Sequence, residues 1–110
     1  MSYFIAYIQY AKYANTYNVY MQYKNQKTLL LAKTIGSVIK DLRCEKNYSI
    51  NKFANEYGLD IGNTSRIEKG SIDVKMVTLW KIAEAFDIKV SDLITLVENK
   101  LDNCKLFIEE

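Results

Sequence analysis

The chain contains no proline and no histidine, and among its 110 residues only four are glycine and two are cysteine. Each scarcity excludes something. A chain so poor in turn-forming residues cannot supply the many tight turns of a β-sandwich or barrel, so an all-α fold is expected. Without histidine the commonest general base is missing, and a zinc site would need both thiols plus carboxylates. Cys44 and Cys104 make no disulfide framework and fit a reducing cytoplasm, where each reads as a small apolar filler. Gln9, Lys12, Asn15 and Asn18 interrupt the N-terminal apolar stretch, so neither a signal peptide nor a membrane span is expected. Acid is missing from residues 1–31, whose only charges are Lys12, Lys24 and Lys27. Residues 32–97 carry ten bases and nine acids, residues 98–110 two bases and four acids, for a net charge of +2. So small an excess neither demands nor excludes a nucleic-acid partner, and any basic face has to be a local arrangement.

What is present is helical periodicity. With 49% hydrophobic residues, the chain can build one domain around a core. Tyr3, Tyr7, Tyr10, Tyr13, Tyr17, Tyr20 and Tyr23 recur at spacings of three and four, which predicts a helix over about residues 3–13. The run Asn15-Thr16-Tyr17-Asn18-Val19-Tyr20 has poor helix propensity and suits a strand or a break. Composition changes near residue 32, so residues 1–31 read as a Tyr-rich extension for packing or dimerisation. Ile35, Val38, Ile39 and Leu42 form the stripe of an amphipathic helix over residues 32–46. Ser49 is a fitting N-cap for a short helix that buries Phe53, Ala54 and Tyr57 and ends at Gly58. Asp60 caps the next helix, which Gly70 stops. Val77, Leu79, Ile82, Ala83 and Phe86 mark a further stripe, with Trp80 packed on the core or at a dimer edge. Ser91 caps a last helix whose apolar set, Leu93, Ile94, Val97, Leu101, Cys104 and Phe107 or Ile108, continues almost to the end.

Function is concentrated in Ser49–Gly70. Ala54 is small where a second helix crosses, and Gly58 takes the sharp turn between the two. Leu59, Thr64 and Ile67 are spaced to face a core. Ile61, Gly62, Ser65 and Arg66 then lie opposite, free to enter a major groove. These residues, with Ile39, Leu42-Arg43, Phe53-Ala54, Tyr57-Gly58, Ser65-Arg66-Ile67-Glu68-Lys69-Gly70, Thr78-Leu79, Ile82-Ala83, Ala85-Phe86 and Leu93, resemble the Cro/lambda-repressor (XRE-type) family of DNA-binding regulators. The resemblance runs from about Ile35 to Leu96. It implies a five-helix DNA-binding domain over residues 32–97 with residues 61–69 as recognition helix. Ile61, Gly62, Ser65 and Arg66 become the base-contacting set, and Ile50, Lys52, Asn63, Lys69, Ser71 and Lys75 the phosphate-contacting set. Arg66 is the best base reader, because its fork pairs with guanine O6 and N7. Ile50 and Ile61 depart from the family, which often has glutamine at both positions; an isoleucine packs on a thymine methyl instead. Thr64 stands where Ile or Val is usual, and its hydroxyl is expected to bond back to the helix carbonyls. Glu68 is expected to pair internally with an arginine or lysine of the first helix, Arg43 being the candidate.

A lone domain of this kind reads few bases, so a homodimer on a palindromic operator is expected. Its interface is assigned to the C-terminal helix through Leu93, Val97, Leu101, Cys104 and Phe107, with residues 98–110 continuing that helix. The competing reading is a module that uses the same fold to hold a partner protein, as antitoxins hold toxins. With no nucleophile–base pair, no metal-ligand spacing and no phosphate-cradling glycine loop, neither an enzyme nor a cofactor or metal site is read.

Overall fold

The computed structural model describes residues 16–102 and 106–108, with side chains from residue 26 onward. The described residues form five helices and no strand: α1 (Thr16–Glu45), α2 (Ile50–Glu56), α3 (Ile61–Lys69), α4 (Met76–Ala85) and α5 (Val90–Lys100). The helix expected over residues 3–13, and Cys104, lie outside them.

α1 is longer than its stripe predicts. Over the described residues it runs from Thr16 without a break through the poor-propensity run and the composition change at residue 32. Propensity differs by only tenths of a kcal/mol per residue, whereas each residue added to an existing helix gains a hydrogen bond. α2 and α3 start as predicted. The Ser49 hydroxyl accepts from the Lys52 N–H at 3.1 Å, and the Asp60 carboxylate accepts from the Asn63 N–H at 2.7 Å. α5 starts earlier than expected, at Val90, so Ser91 is inside it and Lys89 precedes it. There the Asp92 carboxylate reaches back to the Lys89 N–H.

Every described helix ends at a residue in the left-handed region: Asn47 after α1, Gly58 after α2, Gly70 after α3, Asp87 after α4 and Asp102 after α5. After each of the first four, the next N–H folds back onto a carbonyl of the helix just left: Tyr48 to Arg43, Leu59 to Ala54, Ser71 to Arg66 and Ile88 to Ala83. Asparagine and aspartate tolerate this conformation better than other residues with a side chain, which is how a chain with few glycines stops five helices. The same device corrects the C-terminal end. α5 does not continue to residue 108; it stops at Lys100, with Asp102 at φ 57°.

The core is drawn from all five helices. Phe53, Ile39, Ile67, Ile82 and Leu93 are essentially sealed from solvent. Phe53 of α2 stacks on Phe86 at the end of α4, with ring centroids 4.9 Å apart. Val77 does not join this core and is 65% exposed, since it follows Met76 on the outer side of α4. Trp80 is likewise outside, and Cys44 is exposed rather than a core filler. Leu93 and Val97 are buried against the chain's own core, so neither presents a surface to a second copy as the expected interface required. Leu101 is half-buried on the same core, and Phe107 is exposed. No described helix is long and apolar enough to cross a membrane.

Candidate nucleic-acid interface

α3 is seated by a close backbone crossing. A Cβ added at Gly36 of α1 would stand 2.3 Å from the Ile67 carbonyl oxygen and 2.6 Å from that of Glu68. Only a hydrogen fits, so α1 and α3 touch through their backbones. At the end of α3 the same holds for Gly70, where a Cβ would meet the Lys33 Cα at 2.6 Å. Gly70 also has φ 71°, so it is required twice over. The sequence reading missed Gly36 and Lys33. The available signal was a lone glycine in the middle of an apolar helical stripe.

An ion pair fixes the rotation of α3 about its axis. Arg43 of α1 donates from Nε to Glu68 Oε2 at 2.7 Å and from Nη2 to Oε1 at 2.9 Å, while its Nη1 donates to the Tyr48 carbonyl. Both side chains are mostly covered, at 12% and 6% exposure. The Glu68 hydrogen bond, outweighing burial, lifts the Arg43 guanidinium above its ordinary range. The expected internal partnership of Glu68 is therefore observed. Thr64 is buried, and its hydroxyl donates to the Asp60 carbonyl at 2.8 Å, also as expected.

With Thr64 and Ile67 directed inward, the opposite side of α3 follows from helical geometry. Ile61, Gly62, Ser65, Arg66 and Lys69 fall within an arc of about 140°. Ile61, Gly62, Arg66 and Lys69 are exposed, and Ser65 is half-buried. Arg66 lies back along the helix, its Nη1 and Nη2 3.5 and 3.8 Å from the place of a Cβ on Gly62. The predicted base-contacting residues are thus one contiguous surface.

The predicted phosphate contacts are more scattered. Lys69 and Lys75 are exposed, at the end of α3 and before α4. Asn63 and Ile50 are half-buried at the starts of α3 and α2. Lys52 is exposed, with its ammonium 5.0 Å above the Tyr48 ring. The Ser71 hydroxyl donates to the Arg66 carbonyl at 3.1 Å, so its one proton is engaged within the protein. Lys33, absent from the prediction, donates to the Lys69 carbonyl at 3.5 Å and adds a cation beside the end of α3. Below Lys52, Tyr48 and Tyr57 are tilted against each other. A hydrogen bond with Tyr48, and secondarily desolvation, push the Tyr57 hydroxyl above its ordinary range.

Comparison with known proteins follows the same outline. A family model described as helix-turn-helix matches residues 39–93, half of the chain. No curated protein matches the sequence. Two crystal structures of the clp gene regulator ClgR from Corynebacterium glutamicum share the fold. One superimposes with a TM-score of 0.61 at 19% identity, over 66% of this chain and 78% of that one. The other has a TM-score of 0.58 at 20% identity, over 63% of this chain and 88% of that one.

Proposed function

The chain belongs to the XRE-type helix-turn-helix family of DNA-binding transcriptional regulators, and from that premise we propose that it is a sequence-specific repressor or autoregulator acting as a homodimer on a palindromic operator. One observation carries the reading: the outward side of α3 is a continuous surface of Ile61, Gly62, Ser65, Arg66 and Lys69, while its inward side is anchored to α1 by Gly36 and Arg43. A helix held rigidly on one side and bare on the other suits insertion into a major groove. Arg66 pairs its fork with a guanine, Ile61 packs on a thymine methyl, and Lys69, Lys75 and Lys52 hold phosphates on either side. Occupying an operator blocks polymerase sterically, in the cytoplasm. The two-fold contact sets half-sites about one DNA turn apart. With Leu93 and Val97 buried, that contact falls to surfaces outside the core.

The test is selection of duplexes from a random pool, followed by titration of the selected site. Arg66→Ala is expected to weaken binding by about 5- to 150-fold and to relax preference at one base pair. Wild-type binding that shows no sequence preference at any salt concentration refutes the reading.

A further inference from the structure

We propose that Gly62 is the point where α3 approaches DNA most closely, and that its missing side chain seats the Arg66 guanidinium against a base edge; this rests on the DNA-binding reading above. The argument starts from what the fold does not require. Gly36 and Gly70 cannot carry a Cβ without striking backbone, and Gly58 and Gly70 have positive φ. Gly62 has neither excuse. It lies inside α3, without positive φ, and a Cβ there would meet nothing nearer than 3.4 Å, at Asp60 Oδ1. Alanine fits that space and favours the helix, so folding alone selects against glycine here.

The next atoms after Asp60 are Arg66 Nη1 and Nη2, at 3.5 and 3.8 Å from that Cβ position. The guanidinium therefore lies within van der Waals reach of the side-chain position that Gly62 leaves empty. A ligand surface meeting α3 at this spot touches backbone and guanidinium together. In a major groove that surface is a base-pair edge, and a shape this low admits it without displacing the arginine. Gly62 is thus a specificity-determining position through Arg66, not a hinge.

The experiment compares wild type, Gly62→Ala and Arg66→Ala by thermal melting and by titration of fluorescent duplexes. One duplex is the site selected by wild type, the other an unrelated sequence at low salt. Gly62→Ala is expected to melt at or above the wild-type temperature while losing about tenfold or more in affinity for the selected site. Its binding to the unrelated duplex, which depends on phosphates, stays within about twofold of wild type. If Gly62→Ala binds the selected site like wild type while Arg66→Ala does not, this inference falls and DNA reading stands. A large drop in melting temperature also overturns it, by showing that the fold needs the glycine. If wild type selects no sequence, both fall together.

Discussion

Glu68→Ala tests whether the ion pair to Arg43 holds the recognition helix. The substitution removes both carboxylate oxygens, at 2.7 and 2.9 Å from the guanidinium, and leaves Arg43 with the Tyr48 carbonyl alone. Removing one partner of a buried pair costs about 3–5 kcal/mol, because the survivor stays desolvated. Here the side chains retain 12% and 6% exposure and Arg43 keeps one acceptor, which places the cost near the lower end, about 3 kcal/mol. In a domain of this size that lowers the melting temperature by about 12–24 °C. Urea denaturation followed by circular dichroism measures the free energy directly. Replacing both partners with apolar residues, Arg43→Met with Glu68→Leu, is expected to recover most of the loss. The pH dependence has a definite sign. The arginine's range is raised by folding, so its contribution is complete below its ordinary range and is lost only above it. From the arginine side, nothing changes near neutrality. A loss below about 1 kcal/mol, the value of a solvent-exposed pair, would refute this account of how α3 is fixed.

Two further perturbations probe the same framework. Gly36→Ala drives a methyl into the Ile67 and Glu68 carbonyls, which must separate α1 from α3. The expected cost is about 3 kcal/mol in urea denaturation, with loss of specific DNA binding. For Tyr57, the raised range means that folding favours the neutral phenol. Its stabilisation is present below the ordinary value of 10.0 and is lost as pH rises beyond it. The stability gap between wild type and Tyr57→Phe should therefore narrow in alkali, and a constant gap up to pH about 11 would contradict the raised range of Tyr57.

What could be read in the sequence was what is decided locally. Ser49 and Asp60 announce helix starts because a cap needs only its own side chain and an N–H three residues on. Gly58 and Gly70 announce ends because glycine alone is at ease with positive φ. The Arg43–Glu68 pair was also foreseeable, through the family pattern and the poor prospects of a carboxylate beside phosphates. The errors share a cause: periodicity records residue type, not depth or neighbours. Val77 has an apolar side chain and still faces solvent. Leu93 and Val97 lie on an apolar stripe, but the stripe does not say whether it meets its own core or another chain. The end of α5 was missed because Asp102 looks like an ordinary helix-surface residue until its φ is known. Gly36 reveals its purpose only when α3 lies across it, more than two dozen residues later in the chain.

The left-handed stops bear on how the chain acquires its fold. Each of the first four is closed by a hydrogen bond spanning five positions, so the signal that ends each helix is local in the chain. Folding then brings together helices whose ends are specified locally and whose connecting loops are short. The longest closure it must make is α1 onto α5, where the Lys100 ammonium reaches Ser37 and Asp41 across 63 and 59 positions. Closure entropy rises only logarithmically with loop length, so this step delays assembly little, and folding in the microsecond-to-millisecond range of local helical topologies follows. A regulator that folds this fast can be replenished as quickly as it is synthesised.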